Sequence, residues 1–165
     1  MSHVPFKQAE YMLNVCNLRE LTEEEADTIS QVLVQMEPWR TLNYSANTLS
    51  NYLYSSDSSL YKYGVVISQQ TVGAICVRFP WLRGACLELL AVCPPQQGQG
   101  LGRDLIQWLE AELRKTNKRN LWTLVSSFNY EARNFYQKME FVEMAQLDDL
   151  IVPDYHEILL RKILT

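Results

Sequence analysis

Short apolar runs alternate with helical stripes of apolar residues along most of this chain. Runs typical of β-strands fall at residues 11–18, 64–68, 72–78, 86–92, 121–125, 141–147 and 155–163. The polar pair Gln69 and Gln70 separates the second run from the third, which predicts a hairpin turn. Interleaved strands and helices predict an α/β (α+β) fold, with a mixed, mostly antiparallel sheet of about six or seven strands and about four flanking helices.

Four segments show the spacing and the capping residues of amphipathic helices. Thr22 opens a capping box with Glu25, and the helix that it starts is expected to end before Pro38. Ser45 and Asn129 are placed to cap a short second helix and the last helix. The third helix has the clearest apolar stripe, which consists of Leu101, Leu105, Leu109 and Leu113, widened by Ile106.

Length and composition limit the classes of protein to consider. A chain of 165 residues is expected to form one domain over residues 1–165. No apolar run approaches the ~18 residues of a transmembrane helix, so no membrane association is expected. The N-terminus lacks the apolar core of a secretory signal. The four cysteines show no C-x-x-C spacing and there are only two histidines, so we expect no metal site and a reducing, cytoplasmic location.

The segment from Gln97 to Gly102 carries the most specific chemical signal. Its glycines alternate at the start of the third helix, where bare backbone N–H groups and the helix dipole favour an anion. A dinucleotide fingerprint is excluded because Arg103 stands where its third glycine would be, and a Walker loop is excluded because no Gly-Lys pair exists. A phosphate cradle therefore competes with a simple tight turn into the helix.

Two motifs in this half of the chain resemble those of the GNAT N-acetyltransferase superfamily. Gln97, Gly100 and Gly102 fit its loop pattern [QR]-x-x-G-x-G, and an apolar strand through Leu90 precedes the loop. The second motif is N-x-x-A-x-x-[FL]-Y-x-K-x-G-F, which resembles the run Asn129-Tyr130-Glu131-Ala132-Arg133-Asn134-Phe135-Tyr136-Gln137-Lys138-Met139-Glu140-Phe141. The chain departs from the family at Gln99, where Lys or Arg is common, and at Glu140, where Gly is common. We expect the helix to end differently at Glu140.

The resemblance implies acetyl-CoA as cofactor and assigns residues to it. The backbone of the fourth family strand would pair with the pantetheine arm, the loop would hold the pyrophosphate, Asn129 would bond the pantetheine region, and Tyr136 would face the thioester sulfur. The implied cofactor-binding residues are Leu90, Ala91, Val92, Gln97, Gly98, Gln99, Gly100, Leu101, Gly102, Arg103, Asn129 and Tyr136.

Tyr136 has the chemistry of a general acid. Attack by an amine on a thioester expels a thiolate, which needs a proton. A phenol of pKa about 10 differs from a thiol by about 1.5 in pKa, or roughly 2 kcal/mol, which is small enough for proton donation. The alternative is a core tyrosine on the same stripe as Phe135 and Met139.

The general base is less clearly marked. Glu88 is the one charge in an apolar strand, and alternation places it on the same face as Leu90. It is therefore the first candidate base, against the alternative of an edge carboxylate with a structural partner. His156 is a weaker candidate, and a water could also relay the proton. No cysteine is an obvious covalent relay, although Cys93 lies beside the expected site.

The acceptor is expected to be a primary amine on a small molecule or a peptide. Trp39, Tyr44 and Trp81 are candidates to line its site. Residues 1–60 carry eight acids against three bases, which would suit a cationic acceptor. Residues 103–138 carry seven bases against four acids, which would suit an anionic cofactor. Both segments could also be plain solvated surfaces.

Two functions follow as hypotheses. The first is direct acetyl transfer from acetyl-CoA to the amine, and the second is a non-catalytic acyl-CoA-binding sensor or interaction module. Nucleic-acid binding is not expected, because the net charge is −4 and no basic face is interleaved with aromatic residues. A monomer or a homodimer fits the sequence equally well.

Overall fold

The computed structural model describes residues 4–165, so His3 and the start of the N-terminal stretch examined above lie outside the described residues. Its strands are β1 (Glu10–Met12), β2 (Asn17–Arg19), β3 (Leu60–Ile67), β4 (Gln70–Trp81), β5 (Gly84–Val92), β6 (Asn120–Ser126), β7 (Val142–Asp148) and β8 (His156–Ile163). Its α-helices are α1 (Glu23–Leu33), α2 (Ala46–Leu53), α3 (Leu101–Arg114) and α4 (Tyr130–Lys138).

All eight strands lie in one mixed sheet, in the order β1-β2-β3-β4-β5-β6-β8-β7. Only β5 and β6 pair in parallel, and the other neighbours are antiparallel. The α/β class is therefore confirmed. The described residues contain one strand more than the upper expectation, because residues 11–18 do not form one strand. A tight turn, in which the Leu13 N–H donates to the Cys16 carbonyl at 2.9 Å, divides them between β1 and β2.

The two faces of the sheet are covered by different helices. Helices α3 and α4 pack on one face, which we call the α3 face, through Leu105, Leu109 and Tyr136. Helices α1 and α2 cover the other, the α1–α2 face, with Leu33 and Leu53. The predicted caps are confirmed: the side chains of Thr22, Ser45 and Asn129 accept bonds from the first turns of α1, α2 and α4.

The sheet splits between β5 and β6. Residues 84–87 pair with residues 120–123, and there the parallel ladder stops. Beyond that point β5 pairs only with β4, and β6 only with β8. A β-bulge at Glu88, where β4 shifts register between Cys76 and Val77, redirects β5 at the same place. A strand edge with free backbone groups therefore faces the gap.

The residues after helix α4 adopt a conformation at Glu140 that the sequence analysis did not expect. Glu140 has φ 70°, a left-handed conformation that glycine adopts most easily. Its N–H donates to the Gln137 carbonyl, and the Phe141 N–H donates to the Tyr136 carbonyl, each at 3.0 Å. These two bonds form a Schellman motif with Glu140 at the position where glycine is usual. The expectation of a different helix end was wrong, and the residue is accommodated under strain.

Replacing Glu140 with glycine should therefore stabilise the protein. Relief of the left-handed strain is worth about 1 kcal/mol, which corresponds to a rise in Tm of about 2–4 °C. The ion pair that is lost, 3.7 Å to Lys162, is highly exposed at the Glu140 end and contributes little. Thermal unfolding of the wild type, Glu140→Gly and Glu140→Ala measures the change in Tm. Glu140→Ala keeps the Cβ and therefore the strain. If it raised Tm as much as Glu140→Gly does, the stabilisation would come from loss of the charge and not from relief of strain.

Candidate active site

A cleft of about 1190 Å³ opens where β5 and β6 separate. The end of β5, the glycine loop, the end of β6 and helix α4 line one half. The segment between α1 and α2, together with the β4–β5 turn, lines the other. No group of three or more residues able to hold a metal ion occurs among residues 4–165. In the same part of the chain, no helix has the length and apolar content needed to cross a membrane.

The glycine loop presents a row of unpaired amides to this cleft. From Gly98 to Arg103, no backbone N–H has a hydrogen-bond partner within the described chain. Gly98 and Gly100 have φ 77° and 82°, and Gly100 is the N-cap of α3. An added Cβ at either glycine would meet no atom within 4 Å, so glycine is needed there for conformation and not for space. Consecutive free donors at a helix N-terminus suit a diphosphate.

The loop is held in place by a side chain. Gln97 donates through Nε2 to the Val92 carbonyl at 2.8 Å and so ties the loop to the end of β5. The Gln99 side chain lies only 3.5 Å from the Pro95 carbonyl and does not line the cleft, so it presents its backbone alone. The exposed Arg103 lines the cleft and adds positive charge beside the amides.

Gly102 has a packing role. A Cβ at this position would lie 3.0 Å from the Phe135 ring, so the absence of a side chain lets the start of α3 approach α4. Asn129 caps α4 by accepting the Ala132 N–H at 3.3 Å, and its NH₂ group has no partner among the described residues. Leu90, Ala91 and Val92 also line the cleft. The amides, the positive charge and the free strand edge together fit coenzyme A.

Tyr136 is buried on the α3 face at the wall of the cleft. Its ring packs against Phe135 and Phe141, with centroids 5.2 and 5.3 Å away. Burial raises the pKa of its phenol to about 12, and hydrogen bonding with Thr123 offsets part of the rise. Thr123 itself donates to the Leu87 carbonyl at 2.8 Å, at the last paired position of β5 and β6. Tyr136 therefore stays protonated at physiological pH.

Glu88 does not lie where alternation predicted. The bulge turns its side chain to the α1–α2 face, whereas Leu90 packs with the α3-face core. Glu88 lines the cleft, yet its carboxylate is engaged: Arg78 donates to both oxygens, and the Tyr52 hydroxyl donates to Oε2 at 2.7 Å. The expectation that Glu88 shares the face of Leu90 was wrong, because a bulge breaks the two-residue period.

The three aromatic candidates for the acceptor site all line the cleft. Trp39 and Tyr44 come from the segment between α1 and α2, and Trp81 from the end of β4. Trp81 packs edge-on against Trp122 at 6.0 Å. Tyr52 of α2 lines the same half, and sequence reasoning missed it because its spacing fits an apolar stripe.

Glu157 is a second residue that sequence reasoning missed. It lies in β8, is 3% exposed, and lines the cleft opposite Ser126 of β6. Its only sequence signal is a carboxylate beside the candidate His156, just before the apolar run Ile158 to Leu160. His156 does not line the cleft; its Nδ1 lies 3.1 Å from Asp148, without hydrogen-bond geometry.

The cysteines are poorly suited to a covalent relay. Cys93 packs against the α1–α2 core, does not line the cleft, and has a thiol pKa raised by burial. Cys86 does line the cleft, but burial raises its pKa to about 12. A thiol protonated at neutral pH is a weak nucleophile.

Comparison with known proteins identifies the family. A model of the Acetyltransferase (GNAT) family matches residues 18–141 of this chain. No curated protein matches the sequence at a significant level.

Solved structures share the fold at low sequence identity. An acetyltransferase from Thermus thermophilus is 20% identical, covers 93% of this chain and 100% of its own, and has a TM-score of 0.71. The ribosomal-protein-S18-alanine N-acetyltransferase from Escherichia coli is 19% identical, with coverages of 92% and 95% and a TM-score of 0.72. A Bacillus anthracis str. Ames structure, assigned as a streptothricin acetyltransferase and solved with acetyl coenzyme A, is 20% identical, with coverages of 67% and 65% and a TM-score of 0.59.

These structural likenesses concern the fold, whereas the family match rests on the sequence itself and spans well over half of the chain. With that match from residue 18 to residue 141, the chain belongs to the GNAT acetyltransferase family and is an acetyl-CoA-dependent N-acyltransferase.

Proposed function

We propose that this enzyme transfers acetyl directly from acetyl-CoA to a primary amine, with Tyr136 as the general acid. The observation that carries the proposal is the opening of the unpaired amides of residues 98–103 and of Tyr136 onto one cleft. We also propose that residues 1–165 act as one acetyltransferase domain. Both the cofactor and the acceptor would reach the gap between β5 and β6.

The cofactor half would be held mainly by backbone. The amides of residues 98–103 and Arg103 would bind the pyrophosphate, and the free edge of β5 at Leu90 to Val92 would bind the pantetheine arm. Asn129 would add its free NH₂ group. When bound, acetyl-CoA supplies the electrophilic thioester carbonyl and a thiolate leaving group.

Tyr136 would donate its proton to the departing sulfur. The phenol pKa is about 12. It exceeds the pKa of a free thiol by roughly 3.5, or about 5 kcal/mol, which is more than the ordinary pKa of tyrosine gives. Burial raises the pKa of a thiol as well, because both groups lose hydration in the same surroundings. A buried phenol at the wall of the cleft is therefore suited to protonate a thiolate that forms there.

The acceptor half would bind a cation. Three carboxylates, Glu37, Glu88 and Glu157, line it together with the aromatic side chains. We assign Glu88 to positioning and not to proton transfer, because Arg78 and Tyr52 engage its oxygens. Relatives named for an alanine N-acetyltransferase and a streptothricin acetyltransferase act on very different amines, so the acceptor is left at the class of primary amines.

A panel of amines tests the proposal. Short peptides with a free α-amine, N-acetylated peptides with a lysine, spermidine and glucosamine would each be incubated with acetyl-CoA, and free thiol would be measured. Thiol release that depends on one amine, with matching N-acetylated product by mass spectrometry, is the expected result. Binding of coenzyme A without acetylation of any amine would instead favour a sensor.

A further inference from the structure

Glu157 is a buried carboxylate that makes no ion pair with any residue from 4 to 165. Three glutamates among the described residues are nearly fully buried: Glu110, Glu112 and Glu157. Glu110 pairs with Lys162 and Arg114, and Glu112 pairs with Lys115. For Glu157 no basic side chain lies within ion-pair distance in the described chain. Buried carboxylates are normally paired, so Glu157 is the exception among these three in the described part of the chain.

Only one oxygen of the Glu157 carboxylate accepts a hydrogen bond from the described residues, and the side chain lines the cleft. The Ser126 hydroxyl donates to Oε1 at 2.7 Å, while Oε2 accepts no hydrogen bond from the described residues. Oε2 is not enclosed by protein atoms, and Glu157 lines the cleft, so this oxygen is open to the cleft. Burial raises the pKa of Glu157 above the ordinary value for glutamate, and the bond from Ser126 opposes that rise.

Glu157 faces the acceptor half. Its neighbour Ile158 packs with the α3-face core, so strand alternation turns Glu157 to the α1–α2 face. Tyr44 packs on that face, where burial raises the pKa of its phenol and the nearby carboxylate of Glu157 adds to the rise. Tyr136 approaches the gap from the opposite, α3 face. The two groups therefore flank the split between β5 and β6 from opposite sides.

We propose that Glu157 receives the acceptor, binding its ammonium group through the open Oε2 and then accepting a proton so that the amine can attack. This inference rests on the proposed function and names the residue that recognises the substrate's charge. A carboxylate that lacks a cation in the free protein gains one when the substrate binds. Glu88 cannot offer the same, because both of its carboxylate oxygens already accept hydrogen bonds from Arg78 and Tyr52.

The proton balance is complete without a further reactant. The bound ammonium gives one proton to Glu157, and the free amine nitrogen forms a bond to the thioester carbon. The C–S bond breaks, and its electron pair leaves on sulfur, which takes the proton of Tyr136. The amide nitrogen loses its second proton to the phenolate of Tyr136, and Glu157 releases its own to solvent. The net products are the acetylated amine, a free thiol and one proton.

The pH dependence follows from the groups that face Glu157. In the sheet, Glu157 lies opposite Ser126 of β6 and opposite the apolar Leu147 of β7. Tyr44, from the segment between α1 and α2, lies near its carboxylate. Glu37 and Glu88 line the same half of the cleft, each engaged by an arginine, and the Asp148–His156 contact lies at the adjoining hairpin end. Since the base must be deprotonated, kcat/KM should fall as the pH drops through the raised pKa of Glu157.

Variants at Glu157 and Glu88 test the inference. Glu157→Gln keeps an oxygen for Ser126 but cannot take a proton, and Glu157→Asp keeps the charge. Thiol release would be followed between about pH 5 and pH 9, with a neutral tripeptide bearing a free α-amine and with spermidine as acceptors. Glu157→Gln should lower kcat/KM by about 100-fold or more and replace the wild-type acidic limb with one at the pKa of the free amine. Glu157→Asp should restore the limb in part, and calorimetry should find coenzyme A affinity unchanged in both.

The outcomes separate this inference from the proposed function. A Glu157→Gln enzyme that keeps the wild-type acidic limb would overturn the inference while acetyl transfer stands. If Glu88→Gln lost the wild-type acidic limb and Glu157→Gln kept it, Glu88 would be the base that accepts the proton of the amine, and the inference about Glu157 would be overturned. A wild-type enzyme that acetylates no amine in the panel would overturn the proposed function first.

Discussion

Tyr136→Phe is expected to lower kcat by about 10²- to 10⁴-fold, the range by which a positioned general acid contributes. The phenol is buried beside Phe135 and Phe141, and the substitution removes only its hydroxyl. Coenzyme A affinity should stay close to the wild-type value, because the loop amides are untouched. Steady-state kinetics with the amine that gives the fastest thiol release, together with calorimetry of coenzyme A, measure both quantities.

A matched control is available in the same core. Tyr63 is equally buried, but it does not line the cleft, and its hydroxyl donates to the Phe6 carbonyl at 3.4 Å. Tyr63→Phe should therefore leave kcat unchanged. If Tyr136→Phe kept wild-type kcat, the phenol would be a packing residue and the proton would come from elsewhere.

The pH profile gives Tyr136 a second test. Since its pKa is raised to about 12, the phenol stays protonated through the whole range in which the protein is assayed. The wild-type enzyme should thus show no alkaline loss of kcat from this group below about pH 10. An alkaline limb near pH 8 that disappears in Tyr136→Phe would contradict the buried, protonated phenol.

The double variant Gly98→Ala, Gly100→Ala is expected to weaken coenzyme A binding by about 30-fold or more. Each alanine costs about 1–2 kcal/mol in a left-handed conformation, and together these amount to at least one and a half powers of ten in Kd. Both positions are exposed and have no neighbour within 4 Å, so the free loop can relax and keep its stability. Binding of the diphosphate requires the left-handed conformation again, so the strain reduces the free energy of binding and not that of folding.

Calorimetry and thermal unfolding separate these two effects. The expected result is a raised Kd with nearly unchanged Tm. Gln99→Ala is the control in the same loop, because its side chain does not line the cleft. Equal affinity in the double variant and the wild type would mean that the loop conformation seen here does not bind the diphosphate.

The sequence predicts that the residues proposed to bind the cofactor lie together, and most of them line one cleft, because their signals are local. A glycine loop at a helix start and a capping asparagine followed by a tyrosine act through backbone conformation and helix spacing, which adjacent residues determine. The acceptor half could be predicted only in part: Trp39, Tyr44 and Trp81 line the cleft as expected, but Tyr52 and Glu157 were missed. It is assembled from α2, β4 and β8, which are distant in sequence, and nothing local distinguishes Tyr52 or Glu157 from core and edge residues.

Two local rules failed for identifiable reasons. Alternation misplaced Glu88 because a bulge adds one residue to β5, and a bulge depends on how β4 pairs with it. Helix-end chemistry was misjudged at Glu140 because the Schellman bonds and the packing of Phe141 impose a left-handed residue whatever its type. In both cases tertiary structure overrides the preference of the residue.

Selective ¹⁵N-glycine labelling tests the central claim most directly, since the chain has six glycines. Gly98, Gly100 and Gly102 lie in the loop, and Gly64 and Gly84 lie in strands as internal controls. On titration with coenzyme A, the three loop amide signals should shift strongly downfield in proton while those of Gly64 and Gly84 stay in place. Loop signals that remain unmoved at saturating coenzyme A would contradict a diphosphate held by these amides.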